Sequence, residues 1–397
     1  MSSSVKPKRT NANIGLVNQT PAFVFCSAAI CAAAEILNEA LANRDTKILY
    51  SIKACAAESV LKILHPFVGG FSAASPAEAL IASSLNDPCG TLHITSPGLR
   101  REWVQALPEI THLAFNSISQ CERLRDEIPS SVSLGIRVNP GRSNIEDERY
   151  NPCRQYSKLG VPICELVNWL NAGHAQTLGG LHFHNACLCE SWTVLRETVL
   201  QITAELEFVI RRLKWINLGG GFVWDEMTDF VPLQETVDML TTRYGLDVFI
   251  EPGAGFVNSA GYLVASVIDV IKRDGKTIAI LDTTVNHLPE VFEYQFEPDV
   301  VEHVDEGRYQ YILAGCSCLA GDLFGEYAFD EPLQIGSRLT FKNVGAYSIV
   351  KAHTFNGIDL PSIYILDQNG ELELSKQSSL DDLVGGVGLR SNEYANS

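Results

Sequence analysis

The sequence predicts an α/β fold, a (β/α)8 barrel followed by a C-terminal β-rich domain. From residue 48 onward, eight short β-branched or aromatic runs alternate with longer stretches of helical periodicity. After Gly255 the alternation stops, and strand-like runs continue with few helices between them. The 397 residues are 46% hydrophobic and 19% charged, which supplies apolar material for more than one core and excludes a disordered chain.

In chain order, 1–20 is a polar, basic segment. Residues 21–46 supply a strand at 22–26, expected to pack with the β domain, and a helix that leads into the barrel. The barrel, 47–255, has its eight strands at 48–53, 70–74, 92–95, 112–115, 134–139, 180–184, 215–218 and 248–251. Crossover helices fit 56–66, 76–84, 99–106, 117–126, 162–172, 189–212 and 234–244, where apolar residues recur at three-to-four spacing. One helix start is fixed by its own residues: Ser75-Pro76-Ala77-Glu78 offers an N-cap hydroxyl, proline at the first helical position and glutamate at the third, a capping box. The β-rich domain, 256–375, has strand-like runs at 261–271, 277–282, 310–313, 339–343 and 363–366. The tail, 376–397, is mostly polar and expected to be partly mobile.

Thirty Lys and Arg against 47 Asp and Glu give a net charge of −17, which argues against nucleic acid as a partner and suits a cationic small molecule. No apolar stretch approaches the roughly 20 residues needed to span a bilayer, so no membrane association is expected. No apolar signal core follows the first residues, and a cytoplasmic protein is expected. Eleven cysteines are scattered, and the pairs Cys187/Cys189 and Cys316/Cys318 lack zinc-site spacing, so they read as free thiols and no metal is expected.

Barrels of this type build their active sites at the carboxyl ends of the strands. The polar residues there are Lys53, Arg137, Asn139, His182, His184, the glycines Gly219, Gly220 and Gly221, and Glu251. Each has an ordinary reading: a solvated lysine, a core histidine, a tight turn. Together they suggest more. A lysine at an apolar barrel mouth has a lowered amine pKa, as condensation with an aldehyde cofactor requires. Three glycines bare their backbone N–H groups to an anion. His182 and His184 share one face of their strand, so a flat imidazole can stack on an aromatic cofactor. A buried Glu251 needs a cation, and a protonated pyridine nitrogen is one. These are the parts of a pyridoxal 5′-phosphate site.

The motifs Tyr50-Ser-Ile-Lys53-Ala, Gly180-Leu-His-Phe-His184, Asn217-Leu-Gly-Gly-Gly221, Glu251-Pro-Gly253, Gly315-Cys-Ser-Cys318-Leu-Ala-Gly-Asp322 and Gly345-Ala-Tyr347 span about residues 21–366. In them the chain resembles the ornithine/diaminopimelate/arginine decarboxylase family of pyridoxal 5′-phosphate enzymes, with its alanine-racemase-type fold. Ser157-Lys-Leu-Gly160, His287-Leu-Pro-Glu290-Val and Thr354-Phe-Asn-Gly-Ile-Asp-Leu-Pro361 further resemble the branch acting on carboxylated polyamines such as carboxynorspermidine and carboxyspermidine. The resemblance implies that Lys53 carries the cofactor, His184 stacks on its ring, Glu251 pairs with the ring nitrogen and Arg137 lies beside it. It implies that Gly219, Gly220, Gly221 and Tyr347 hold the phosphate, and that Asp282, Glu290 and Asp322 bind substrate. In a homodimer with shared active sites, Cys318 and Asp322 would reach the partner's barrel, with Cys318 returning a proton to Cα.

Two departures stand out. Ala254 follows Glu-Pro-Gly where many relatives carry arginine and this branch an acid, and Cys187 stands where many have a phosphate-binding serine. The expected activity is removal of CO2 from a carboxylated polyamine to give norspermidine or spermidine. The alternatives are a decarboxylase of another basic amino acid or peptide-linked substrate in a secondary-metabolite pathway, and a non-catalytic cofactor-binding barrel.

Overall fold

The computed structural model describes residues 11–85, 90–174 and 178–379. Most of the tail expected to be mobile thus lies outside the described residues. The chain divides into two compact units, one of residues Cys31–Phe256 and the other of residues up to Ile30 together with those from Val257.

Strand β1 (Ala22–Cys26) belongs to the second unit. The first contains β2 (Thr46–Ser51), β3 (Gly70–Ala73), β4 (Leu92–Ser96), β5 (His112–Phe115), β6 (Ser133–Asn139), β7 (Val161–Pro162), β8 (Gly180–His182), β9 (Trp215–Asn217) and β10 (Asp247–Ile250). Eight of these close a ring in the order β2-β3-β4-β5-β6-β8-β9-β10, with β10 pairing back to β2 and every pairing parallel. The two-residue β7 pairs with β6 outside the ring. The expected parallel eight-stranded barrel is present. Its strands are short apolar runs because each is covered on both faces.

Three local details differ from the expectations. The first barrel strand ends at Ser51, whose N–H bonds to the Pro252 carbonyl, and Ile52–Ala54 form a 3₁₀ turn. The helix expected over 189–212 is two, Thr193–Glu205 and Glu207–Ile210, separated at Leu206 (φ −116°, ψ 18°). At the capping box, Ser75 Oγ accepts the Glu78 N–H at 3.2 Å, but Glu78 Oε2 accepts the N–H of Ala74 at 2.7 Å instead of that of Ser75.

The barrel interior is plugged by aromatic side chains. Trp215 packs with Leu49, Ala114 and Phe249, and its Nε1 donates to Ser133 Oγ at 2.8 Å. The indole fits because its neighbours are glycines. A Cβ on Gly180 would lie 2.0 Å from Trp215 Cδ2, and one on Gly135 2.5 Å from its Cη2. Gly180→Ala is therefore expected to destabilise the fold by about 1–3 kcal/mol, the usual cost of overpacking a filled core. Urea unfolding at an unchanged m-value measures it, and an unchanged midpoint would show that the indole can move aside.

The second unit is β-rich, with β11 (Gly261–Arg273), β12 (Lys276–Leu281), β13 (Tyr309–Ala314), β14 (Leu323–Phe329), β15 (Arg338–Phe341), β16 (Ser362–Leu366) and β17 (Leu372–Lys376). The pairing order is β14-β13-β12-β11-β1-β16-β17, and β15 also pairs with β11. The early strand β1 runs antiparallel to β11 and parallel to β16, so 22–26 does join this sheet. A register shift between Val267 and Asp269 divides the long β11, which pairs with β1 and β15 in its first half and with β12 in its second. Val24, Cys26, Val264, Tyr364 and Leu366 pack one core of this unit. Strands β14 and β17 were not expected from the sequence. No helix among the described residues is long and apolar enough to cross a membrane.

Candidate active site

Lys53, Glu78, Arg137, His182, His184 and Glu251 line one cavity at the carboxyl ends of the barrel strands. Lys53 sits in the 3₁₀ turn directly after β2. Its side chain is exposed to the cavity. Desolvation by the protein around it, then the nearby Arg137 guanidinium, lower its pKa, while Glu251, Glu78 and Cys187 oppose the shift. A larger fraction of its amine is thus in the nucleophilic, uncharged form.

Glu251 follows β10 and is 6% exposed. Its Oε1 accepts from Asn217 Nδ2 at 2.7 Å, and its Oε2 lies 3.2 Å from His182 Nε2. Burial opposes its charge, but His182, His93 and a hydrogen bond from Ser72 outweigh burial and hold the carboxyl well below the usual carboxylate range. Burial also lowers the His182 pKa, against the pull of Glu251. The pair is therefore a carboxylate accepting the Nε2–H of a neutral imidazole. Arg137, buried on β6, is pushed down to about 10 by burial, with Glu251 opposing, and stays cationic at neutral pH. Its Nη2 lies 3.4 Å from the His184 carbonyl, which it donates to.

His184 comes two residues past the end of β8. Its Nδ1 accepts the Gly220 N–H at 3.0 Å, which assigns the remaining proton to Nε2. Burial, then the Lys53 and Arg137 charges, lower its pKa well below the ordinary value, so the ring is neutral and its plane is held by the glycine loop.

In that loop Gly219 has φ +66° and Gly221 φ +95°. Cβ atoms on Gly219, Gly220 and Gly221 would lie 2.2 Å from the Phe183 carbonyl oxygen, 2.0 Å from that of Glu251 and 2.1 Å from that of Ala186. The loop accepts no side chain, and its backbone can approach an anion closely. Two of its N–H groups are already engaged: Gly219 donates to Asn217 Oδ1 at 2.9 Å, and Gly220 to His184. Among the described residues, the Gly221 N–H is the one of the three without a protein acceptor. Ala254 is buried in the short helix Ala254–Val257 that follows Glu251-Pro252-Gly253 and brings no charge.

The remaining candidates lie in the second unit. Cys318 is exposed, and its N–H donates to Asn356 Oδ1 at 2.8 Å. Asp322 is buried, accepting the Val285 N–H at 2.7 Å, the Ser317 N–H at 3.0 Å and the Ser317 hydroxyl at 2.5 Å. Asp282 accepts the Ser266 N–H at 2.8 Å and the Thr20 hydroxyl at 2.6 Å, and burial raises its pKa. Glu290 pairs with Lys351 at 3.3 Å, and burial raises its pKa despite that cation. Tyr347 holds φ +59°.

Sequence reasoning quoted Asn217 only as part of a motif and did not single out His93 or Ser72. The available signal was polarity: an amide ending an otherwise apolar strand, one residue short of three glycines. Among the described residues, no group of three or more His, Cys, Asp or Glu could hold a metal ion.

A barrel-mouth amine of lowered pKa, a buried carboxylate kept ionised, a neutral imidazole of fixed tautomer and a side-chain-free loop fit an aromatic aldehyde carrying a ring nitrogen and an anionic group. They define a pyridoxal 5′-phosphate enzyme. Comparison with known proteins agrees. The model for the pyridoxal-dependent decarboxylase pyridoxal-binding domain matches residues 27–258. The chain is 33% identical over 382 residues to a carboxynorspermidine/carboxyspermidine decarboxylase of Campylobacter jejuni, covering 92% of this chain and 97% of that one. It is also 33% identical over 350 residues to a carboxyaminopropylagmatine decarboxylase of Synechocystis, covering 86% and 88%. Among solved structures, the carboxynorspermidine decarboxylase of Campylobacter jejuni in complex with norspermidine superposes with a TM-score of 0.82 at 30% identity, covering 92% and 98%. The chain belongs to the pyridoxal-dependent decarboxylase family, and its cofactor is pyridoxal 5′-phosphate.

Proposed function

We propose that this enzyme removes CO2 from the α-amino acid end of a carboxylated linear polyamine, carboxynorspermidine or carboxyspermidine, giving norspermidine or spermidine. The observation that carries the reading is the 33% identity to the Campylobacter enzyme over nearly the full length of both chains. The net charge of −17 suits a substrate with several ammonium groups.

Bound in this barrel, the cofactor supplies a sink for the electron pair left on Cα when CO2 departs. The protein's part follows from its own residues. Lys53, its pKa lowered, offers the amine that would anchor the cofactor. Glu251, kept anionic, holds a proton on the ring nitrogen. The neutral His184 ring would stack on the cofactor's ring, adding no charge that would oppose electron flow into it. Gly221 would receive the phosphate. Cys318 returns a proton to Cα, and its loop is shaped by Asp322, whose three side-chain hydrogen bonds support that role in place of direct substrate contact. Asp282 and Glu290 would supply carboxylates for the distal ammonium groups.

The identity shared with the Synechocystis enzyme supports a second reading, carboxyaminopropylagmatine, whose distal group is a guanidine in place of an amine. Comparing kcat/KM for carboxynorspermidine, carboxyspermidine, carboxyaminopropylagmatine, ornithine and diaminopimelate separates the two. The first reading expects one of the first two to lead, and a lead by any other overturns it.

The active site is proposed to be shared in a homodimer, with Cys318 serving the partner's Lys53. Mixing inactive Lys53→Ala and Cys318→Ala protomers then restores one intact site per mixed dimer. With random reassortment, about a quarter of all sites are intact, as two-fold symmetry requires. No recovery in verified mixed dimers, after subtracting the residual activity of Cys318→Ala, would show that Cys318 acts within its own chain or not at all.

A further inference from the structure

We infer that Asn217 is a positioning residue for decarboxylation, one amide that fixes both the Glu251 carboxylate and the first N–H of the glycine loop. The inference rests on the role proposed above for Glu251.

Asn217 is the last residue of β9, buried inside the barrel. Its amide makes three contacts: Nδ2 to Glu251 Oε1 at 2.7 Å, Nδ2 to His93 Nδ1 at 2.9 Å, and Oδ1 from the Gly219 N–H at 2.9 Å. The orientation of the amide is forced. An ionised carboxylate can only accept, so the nitrogen must face Glu251, and a backbone N–H can only donate, so the oxygen must face Gly219. The second amide hydrogen then points at His93 Nδ1, which must be the unprotonated nitrogen of that ring. Burial, followed by the His112 charge, lowers the His93 pKa well below its ordinary value, consistent with a neutral acceptor.

Every hydrogen-bonding position on the amide but one oxygen lone pair is thereby used, and it cannot rotate without losing all three bonds. The backbone closes the same circuit, because the Glu251 N–H donates to the Gly219 carbonyl at 2.7 Å. The group opposite the cofactor's ring nitrogen and the loop nearest its phosphate are thus referenced to one side chain. Asn217 itself is not among the residues that line the cavity. Its effect on the reaction is exerted through Glu251 and Gly219.

The two arms can be separated. Asn217→Asp keeps an acceptor for the Gly219 N–H but sets a second carboxyl oxygen against Glu251, whose other close neighbours are His182, His93, Ser72, Arg137 and Lys53. Two carboxylates at that distance resist joint ionisation. Asn217→Leu keeps the volume and removes both arms. The holoenzyme of each variant is assayed for kcat, KM, thermal midpoint and the fraction of cofactor retained after gel filtration.

Asn217→Asp is expected to retain cofactor like the parent while kcat falls about 10- to 100-fold at neutral pH, with KM within about twofold. Its deficit should shrink on acidification, as the carboxyl pair takes up a proton. Asn217→Leu is expected to lose a similar factor in kcat and also to release cofactor. If both variants show only a lowered thermal midpoint, with parental kcat per bound cofactor, Asn217 is structural and the inference is overturned. Glu251→Gln run alongside distinguishes the failures. A slow Glu251→Gln beside a normal Asn217→Asp overturns the inference alone, whereas a normal Glu251→Gln overturns the assigned role of Glu251 and the inference with it.

Discussion

Lys53→Ala is expected to abolish both covalent attachment of the cofactor and turnover, with kcat reduced by at least about 10³-fold. Lys53 is the one primary amine among the described residues lining the cavity. Arg137, the other cation there, stays protonated at neutral pH because burial brings it only to about 10. Borohydride reduction followed by peptide mass spectrometry reads the attachment directly. The parent should carry the added mass at Lys53 and the variant nowhere. A trapped adduct on the variant would move the cofactor to another lysine.

Glu251→Gln is expected to leave cofactor bound while kcat falls by about 10²- to 10⁴-fold. The glutamine is nearly the same shape and can keep one hydrogen bond with Asn217. It removes the negative charge, however, and with it the means of keeping a proton on the ring nitrogen. Cofactor content by absorbance and kcat on the same preparation test this together. Parental kcat at full occupancy would place the functional carboxylate elsewhere.

The eight barrel strands were legible because a parallel strand covered on both faces is a largely apolar run bounded by polar turns, as 113–115 and 248–250 illustrate. The site was legible at the strand ends for the same reason: Lys53, His184 and Glu251 interrupt apolar sequence where a barrel opens. Leu323–Phe329 was missed because Gly325, at φ +141°, breaks the strand pattern and its buried residues do not alternate. Leu372–Lys376 was missed because it is a short, largely exposed edge strand whose alternation rests on only two leucines, Leu372 and Leu374. The glycine loop was expected to present three N–H groups to the phosphate. Two of them serve Asn217 and His184, a choice made by side chains from β9 and from the segment after β8 that only the closed barrel brings together. The second-unit candidates were legible only as motifs, since the hydrogen bonds that commit Asp322 to Val285 and Ser317 join residues up to 37 positions apart.

The claim that this barrel decarboxylates a carboxylated polyamine is tested most directly by its product balance. Purified holoenzyme is incubated with carboxynorspermidine, and evolved CO2 and free norspermidine are quantified in the same vessel. The account predicts one CO2 and one norspermidine for each substrate consumed, abolished by Lys53→Ala. Consumption without CO2, or no consumption of either carboxynorspermidine or carboxyspermidine by fully cofactor-loaded enzyme, would contradict it.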